Sequence, residues 1–186
     1  MNLKMTLQNA VGHFKTITYH KWLVMEGCFK IGLYKQGLLH DLSKYTWGEF
    51  KTGIMYYQGN RSPNGAERED KGYSEAWLHH KGRNKHHYEY WMDAGPVREL
   101  GVVGVKMPAK YVAEMMMDRI AASKVYKGAD YRDDSPLEYY KYSKDSIVIH
   151  PETRAILEKL LNMLASKGEA YTFAYIKKVL LKRNSY

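Results

Sequence analysis

Apolar residues recur every three or four positions along most of the chain, which is the spacing of one face of an α-helix. The clearest case covers residues 3–34, where Leu7, Phe14 and Ile17 keep that spacing. Gly37 then offers a place for the helix to end. The dominant pattern therefore predicts an all-α fold.

Turn residues and helix caps divide the rest of the chain into further helices. Thr46, with Glu49 three residues on, forms a capping-box pattern, and Ser74 is a cap residue ahead of a histidine-rich segment. The GVVGV segment is the only strand-like run, and no partner for it is evident. The remaining helices are predicted at residues 38–45, 109–126, 137–144, 152–166 and 172–183, with loops at 58–73, 93–108 and 128–135.

Length and composition are those of one globular domain with a sizeable core: 186 residues, 45% of them hydrophobic. We expect a single-domain helical bundle of six to eight helices over residues 1–186, with a motif core at about 10–127 and C-terminal helices at about 136–183. No apolar run reaches the ~18 residues of a membrane span, and the first residues lack the apolar segment of a signal peptide. With Cys28 as the only cysteine, these features predict a cytoplasmic protein without an internal disulfide.

The charge balance is basic, with 29 Lys and Arg against 20 Asp and Glu. A formal net charge of +9 attracts phosphate-bearing partners, either small molecules or nucleic acids. The basic residues are spread along the chain, apart from a short run near its end. Charge alone therefore leaves open a solvated basic surface, a phosphate-ester substrate and a nucleic-acid partner.

Four of the eight histidines form two pairs, at residues 79–80 and 86–87. Seven residues of straight helix rise about 10.5 Å, which is too far for both pairs to bind one ion. Gly82 between the pairs can end a helix, and Asn84 can cap a new one, so that both pairs turn toward one site. A single histidine is as often packed in a core or exposed without function, so the pairs gain meaning only from other ligands in the chain.

Two acidic residues supply oxygen ligands for such a site. His40 and Asp41 are adjacent, and a mixed nitrogen and oxygen set suits Mn, Fe, Co, Ni or Zn. Asp118 lies on the apolar stripe of the 109–126 helix, where a charged carboxylate is costly unless it is paired or metal-bound. A buried pairing with a distant Lys, Arg or Tyr is the alternative for Asp118. Glu114, one turn earlier, is a weaker candidate for the same site.

The order of the candidate ligands resembles that of the HD-domain superfamily of metal-dependent phosphohydrolases: His20, then His40 and Asp41, then later histidines, then Asp118. The HDLSK segment is similar to a His-Asp-x-x-Lys variant of some phosphodiesterase branches. The combination of HDLSKYTWGEF with HHKGRNKHHYEYW also resembles, over nearly the whole chain, a family of small uncharacterised bacterial and phage proteins. That family brings no established reaction, so the expected chemistry comes from the superfamily.

The HD-domain resemblance implies a centre with one or two divalent transition-metal ions. It assigns the first ion to His20, His40, Asp41 and Asp118. Asp41 would bridge to a second ion held by one histidine of each pair, with His80 and His87 favoured and His79 and His86 as the alternatives. Lys44 and Arg83 each lie one helical turn from a ligand and would stabilise the charge of a phosphate.

The implied function is that of a metal-dependent phosphohydrolase or phosphodiesterase acting on a nucleotide or another small phosphate ester. Its catalytic residues would be Asp41, Lys44 and Arg83, while Glu49 and Glu89 would either orient imidazole rings or lie on the surface. Two other functions stay open. One is a basic nucleic-acid-binding module with structural histidines, and the other is an inactive HD-like protein that binds metal for stability alone. No membrane partner is expected.

Overall fold

Helices dominate the computed structural model, which describes residues 6–182. The helices of this part of the chain are α1 (Leu7–Ile31), α2 (Tyr34–Leu39), α3 (Trp47–Met55), α4 (Pro63–Lys71), α5 (Glu75–Lys81), α6 (Ala109–Lys127), α7 (Ser135–Ser143) and α8 (Pro151–Tyr175). Two short strands, β1 (Met92–Ala94) and β2 (Val102–Gly104), form one antiparallel pair. The prediction of a single-domain, all-α fold is confirmed.

The core lies where α6 packs against α1 and α8. Val24 of α1, Met116 of α6 and Leu157 of α8 are fully buried there, and burying each such side chain contributes about 1.5–3 kcal/mol. Helix α6 is buried on more than one face, and its apolar run is interrupted by two acidic residues, Glu114 and Asp118. Those two carboxylates mark the face of α6 that builds the polar site described below.

Helix α1 ends earlier than the sequence predicts. Thr6 caps its start by accepting a hydrogen bond from the Asn9 N–H at 3.0 Å, and Gly32 ends it in the left-handed conformation that favours glycine, with φ 88°. Gly37, the predicted end, lies inside α2 instead. An added Cβ there would be 3.2 Å from the backbone of Met25, so the prediction was wrong because this glycine serves close packing between two helices.

A helix lies within residues 58–73, which the composition predicts to be a loop. Pro63 begins α4, where its missing N–H costs nothing, and Gly72 ends the helix with φ 82°. Glu67 is fully buried and accepts a hydrogen bond from Ser74 Oγ at 2.6 Å. The loop prediction was wrong because this tertiary contact outweighs the low helix propensity of the glycine and asparagine in the segment.

The strand-like GVVGV segment has a partner after all. Strand β2 pairs with β1, with Met92 opposite Gly104, so residues 93–108 contain a hairpin and are not a plain loop. Gly104 approaches the backbone of Ile149 and His150 so closely that a Cβ would not fit. The prediction of an unpaired segment was wrong because a three-residue partner strand is too short to show an alternating pattern.

The C-terminal helices follow the predicted order. Helices α7 and α8 each have a proline in the first turn, and α8 is kinked at Gly168, where φ is 78°. A π-helical turn, Ile176–Leu180, continues from α8. The predicted first and last helical residues of the chain, 3 and 183, lie outside the described residues. Within residues 6–182, no helix combines the length and the apolar character that crossing a bilayer requires.

Candidate metal centre

Four separate parts of the fold bring the predicted ligands to one place. They are the middle of α1, the residues that follow α2, the end of α5 with the segment after it, and the middle of α6. The side chains that these elements supply are His20, His40, Asp41, His80, His86, His87 and Asp118. Residues nearly one hundred positions apart in sequence therefore share one polar cluster between α1 and α6.

The predicted 38–45 helix is broken at its centre. Helix α2 ends at Leu39, and Asp41 has φ 53°, the only positive φ of a non-glycine residue in the described chain. Asp tolerates this left-handed conformation better than most residues. Lys21 of α1 donates hydrogen bonds from Nζ to the carbonyls of Leu38 at 2.7 Å and His40 at 2.9 Å. The prediction of a continuous helix was wrong because this turn is needed to aim His40 and Asp41 inward.

The histidine pairs are separated by the predicted helix break at Gly82, which follows α5. No new α-helix starts at Asn84; a 3₁₀ turn begins only at Tyr88. The prediction of a cap was wrong, because Asn84 Nδ2 instead donates hydrogen bonds to Ser43 Oγ at 2.9 Å and to the His80 carbonyl at 2.8 Å. The side chain thus ties the segment after α5 to the turn that carries Asp41.

One group of ligand atoms lies around Asp41 Oδ2. His40 Nε2 is 3.3 Å and His20 Nε2 3.8 Å from this oxygen. Asp118 Oδ1 lies 3.0 Å from His20 Nε2 and 3.6 Å from His40 Nε2. These four side chains are the set that the HD-domain resemblance assigns to a first ion.

A second group lies around the other oxygen of the same carboxylate. Asp41 Oδ1 is 3.3 Å from His80 Nε2 and 3.4 Å from His86 Nε2. His87 Nε2 completes the group at 2.9 Å from His80 Nε2. Three histidines therefore face this side of Asp41, where the sequence predicts one from each pair.

The geometry of both groups suits ions of the first transition row. Nitrogen and oxygen ligands about 2.0–2.2 Å from one ion lie roughly 3–3.5 Å from each other, close to the separations found here. Buried polar atoms normally have hydrogen-bond partners. Within residues 6–182, however, His20 Nε2, His40 Nε2, His86 Nε2 and Asp41 Oδ1 have none. These atoms lie close together without forming hydrogen bonds to each other. Ligands around a shared cation have the same arrangement.

Two buried glutamates hold the ligand rings from behind. Glu114 Oε1 lies 3.0 Å from His40 Nδ1 and 3.2 Å from His86 Nδ1. Glu49 Oε2 lies 2.8 Å from His80 Nδ1. Each carboxylate can accept the Nδ1–H of these rings, which leaves Nε2 unprotonated toward the cluster. Glu114 therefore supports both groups, and Glu49 has the ring-orienting position that was one of its two predicted roles.

The carboxylates and His87 are in the forms that favour ligation. Burial alone would raise the pKa of Asp118, but contacts with two histidines and their charge hold it well below its usual range. Burial opposes ionisation of Asp41 as well, yet neighbouring imidazole and ammonium groups keep its pKa well below the usual range. Burial and the charge of the adjacent histidines keep the pKa of His87 well below its ordinary value. Ionised carboxylates and neutral imidazoles are the forms that bind metal. Burial lowers the pKa of His40 and His80, but the neighbouring carboxylates outweigh it and raise both pKa values, so an ion has to displace protons from these two rings.

A cavity of about 600 Å³ opens next to the cluster, and His20, His80, His87 and Asp118 are among the residues that line it. Its volume is within the usual range of small-molecule sites, about 300–1,000 Å³. Lys44 also lines the cavity and places Nζ 2.6 Å from Asp41 Oδ2. A small anionic molecule in the cavity can therefore reach both the ammonium group of Lys44 and the ligand cluster.

Two predicted residues lie apart from the cluster. His79 is partly exposed, and its Nδ1 contacts Glu49 Oε1 at 2.6 Å rather than Asp41. Arg83 is exposed, donates a hydrogen bond to the carbonyl of His79 at 3.2 Å, and does not line the cavity. Neither side chain joins the groups of close ligand atoms found in residues 6–182.

Sequence reasoning did not single out two residues of the site. Lys21 holds the backbone of the Asp41 turn, as described above, and His13 lines the cavity as a buried ring beside Phe50. A seven-residue spacing from His20 along α1 could have indicated His13, because it places both rings on one helix face. Lys21 left no such signal, since its partners are backbone carbonyls.

Comparison with known proteins gives one match. The model of a family described as a family of unknown function, DUF5662, matches residues 9–163. The searches of curated proteins and of solved structures gave no match. The matched range includes every proposed ligand, the supporting glutamates and α6. The expected similarity to an uncharacterised family is confirmed, and the chain belongs to the family of unknown function DUF5662.

Proposed function

We propose that this protein is a metal-dependent phosphohydrolase or phosphodiesterase with two ions bridged by Asp41. The observation that supports this most strongly is the position of that carboxylate. Its Oδ2 faces His20 and His40, and its Oδ1 faces His80 and His86. A carboxylate with one oxygen in each of two ligand groups is suited to join a pair of ions.

The ligand set argues for the kind of ion. The first group offers two imidazoles and two carboxylates, and the second offers three imidazoles and one shared carboxylate. Mixed imidazole and carboxylate sites suit Mn, Fe, Co, Ni or Zn better than Ca or Mg, which prefer oxygen alone. When bound, a pair of such ions supplies a hydroxide nucleophile at neutral pH and neutralises charge on a phosphoryl group.

Lys44 is the residue that we assign to the phosphate. Its ammonium group lies at the cavity and beside Asp41, and the charge of that carboxylate outweighs burial and raises the pKa of Lys44. It therefore stays positive and can attract and orient an anionic ester. Arg83 no longer has this role in the proposal, because it is exposed and bonded to a backbone carbonyl.

The HD-domain superfamily remains part of the proposal. The ligand order along the chain, the helical setting and the central His40–Asp41 pair are those that the resemblance implies. Three histidines rather than two in the second group depart from that expectation. The departure concerns the number of ligands and leaves the bridging position of Asp41 unchanged.

A hydrolysis assay tests the proposal. Metal-free protein is supplied in turn with Mn²⁺, Fe²⁺, Co²⁺, Ni²⁺ and Zn²⁺ and assayed on p-nitrophenyl phosphate, a monoester, and bis(p-nitrophenyl) phosphate, a diester. We expect turnover with at least one ion, and a loss of more than about 100-fold in Asp118→Asn, since even supporting residues of metal sites contribute about 10–100-fold. Glu99→Gln, an exposed change outside the cavity, is the control and keeps full activity.

Three outcomes contradict the proposal in different ways. Turnover that survives Asp118→Asn would mean that the first ligand group is not the reaction centre. Binding of metal without turnover of either ester would favour an inactive metal-binding protein. Retention of DNA or RNA by the metal-free protein, in a manner that salt abolishes, would favour the nucleic-acid-binding alternative.

A further inference from the structure

Part of the cavity wall carries two charged side chains that the metal centre does not use. Glu89 and Arg119 both line the cavity. Glu89 Oε2 and Arg119 Nε are buried and have no hydrogen-bond partner among the described residues. Because buried polar atoms are nearly always paired, a partner from outside the chain is the natural explanation for both.

The two side chains line the same cavity without forming an ion pair. Burial raises the pKa of the Glu89 carboxyl and the charge of Arg119 partly offsets this, yet no direct hydrogen bond joins the unpartnered Glu89 Oε2 and Arg119 Nε within residues 6–182. A group that fills this gap must accept hydrogen bonds from the guanidinium, which only donates, and donate to the carboxylate, which only accepts when ionised. The cavity thus selects a ligand with an acceptor edge next to a donor edge.

Aromatic rings surround this polar pair. The Tyr88 hydroxyl interacts with the Glu89 carboxylate, and the Arg119 guanidinium carbon lies 5.8 Å from the centre of the Tyr140 ring. Tyr139 lines the cavity while 68% of its surface is exposed, so its ring is free to cover a ligand. Flat bases stack on such aromatic rings in complexes with nucleic acids.

We infer that Glu89, Arg119 and Tyr139 form a binding site for an oxopurine base, so that the phosphate ester held at the metal centre is a guanine nucleotide. Guanine offers acceptors at O6 and N7, which suit an arginine, and donors at N1 and N2, which suit a carboxylate. Adenine has an amino group in place of O6 and no hydrogen on N1. In the same orientation it would set a donor against the guanidinium and an acceptor against the carboxylate.

The location of this base site agrees with the proposed function, on which the inference rests for the position of the phosphate. Arg119 follows the proposed ligand Asp118 on α6, and Glu89 comes two residues after His87. The elements that place the ligands therefore also place the base site. Together they occupy one cavity of about 600 Å³, which is large enough for a nucleotide.

Calorimetric titration of metal-free protein, kept so with a chelator, tests the base site without any hydrolysis. The probes are guanosine 5′-monophosphate and adenosine 5′-monophosphate, which carry the same sugar and phosphate. We expect the guanine nucleotide to bind at least about tenfold more tightly, since a site with buried polar groups rejects a ligand that leaves them unpaired. Equal binding of the two nucleotides, or binding of neither, would overturn the inference.

Two substitutions separate the base site from general nucleotide binding. Glu89→Gln and Arg119→Lys should each remove most of the preference for guanine and leave binding of the adenine nucleotide little changed. The matched controls Glu99→Gln and Arg98→Lys, at exposed positions outside the cavity, should keep the preference. A preference that persists in both Glu89→Gln and Arg119→Lys would place base recognition elsewhere.

The failure of this inference differs from the failure of the proposed function. Guanine-selective binding by a protein that hydrolyses no ester leaves the base site standing and contradicts the enzymatic role. Hydrolysis of p-nitrophenyl phosphate by a protein that does not distinguish the two nucleotides contradicts the base site alone.

Discussion

Asp41 meets three structural demands at a single residue. It adopts a left-handed backbone conformation, it places one oxygen in each ligand group, and it forms an ion pair with Lys44. Strained backbone conformations cost of order 1–3 kcal/mol and persist where the surroundings enforce them. Here the hydrogen bonds from Lys21 to the preceding carbonyls hold the turn, so the strain is tied to the aim of the carboxylate.

The assignment of histidines to the second ion gives a test at the level of single residues. We expect His80→Ala to retain about one ion per chain, because it removes a nitrogen next to Asp41 Oδ1 but leaves the first group intact. His79→Ala should retain both ions, because its ring contacts Glu49 rather than Asp41. Elemental analysis of the purified variants gives the counts. Loss of an ion in His79→Ala but not in His80→Ala would reverse the assignment.

His13 gives a pH-dependent test outside the metal ligands. Burial, assisted by the charge of Lys44, lowers the pKa of His13 to about 4, whereas the unfolded chain has the ordinary value of about 6.5. The folded state therefore binds fewer protons between these values, so the stability contribution is complete above about pH 6.5 and falls as the pH drops toward 4.

Denaturant unfolding of wild-type protein and His13→Gln between pH 7 and pH 4.5 measures this effect. The free energy of unfolding of the wild type should fall more steeply with decreasing pH, by up to about 1.4 kcal/mol per pH unit, which corresponds to one proton. Parallel pH profiles for the two proteins would show that His13 titrates normally in the folded state.

Single residues also show what sequence can and cannot reveal. His40, Asp41 and Asp118 could be proposed as ligands because an adjacent His-Asp pair and a charge on an apolar stripe are visible in the sequence, whereas His20 was proposed from the HD-domain resemblance. The sequence could not show which histidines of the two pairs face Asp41. The direction of the chain after Gly82 depends on the hydrogen bond from Asn84 to Ser43, which the sequence does not reveal. The sequence analysis placed Arg83 one helical turn from a ligand, but α5 ends at Lys81, so helical spacing does not apply to Arg83.

At the level of elements, the approach of α3 to α1 shapes the cavity. Gly53 of α3 faces His13 of α1 so closely that an added Cβ would overlap the imidazole ring. The ring is buried, which limits its freedom to move aside. Glycine at this position therefore serves the packing of two helices around the cavity.

The prediction for this contact compares two glycines of α3. Gly53→Ala should lower the free energy of unfolding by about 1–3 kcal/mol through overpacking. Gly48→Ala, where a Cβ would meet no atom within 4 Å, should cause no loss, because alanine is favoured over glycine in helices by up to about 1 kcal/mol. Denaturant unfolding measures both. Equal stability of the two variants would show that α3 can move away from His13.

The elements themselves differ in how well the sequence predicts them. Long periodic segments such as α1 and α6 were predicted with nearly correct bounds, whereas α8 was predicted as two helices, 152–166 and 172–183, because Gly168 kinks the helix without ending it. Helix α4 and the β1–β2 hairpin were missed because a contact outside each element accompanies it, Glu67 with Ser74 just after α4 and Gly104 with the distant backbone near Ile149. Local propensity cannot report such contacts.

On the scale of the whole molecule, the polar cluster is a cost that metal binding can offset. Five ionisable residues, His40, Asp41, His80, His86 and Glu114, are each at most 5% exposed and pack around one point. Such groups weaken a fold unless charges and hydrogen-bonding atoms are satisfied. An ion that binds only the folded chain adds stability in proportion to the logarithm of its concentration over Kd, which links folding to the metal centre.

The metal content of the protein tests the central claim most directly. The protein is produced without a histidine tag, incubated with Mn²⁺, Fe²⁺, Co²⁺, Ni²⁺ or Zn²⁺, freed of loose ions by gel filtration, and measured by elemental analysis. Two ions per chain with at least one of these metals is the result that we predict from the position of Asp41 between the two ligand groups. Protein that emerges with no bound metal in any of the incubations would contradict it.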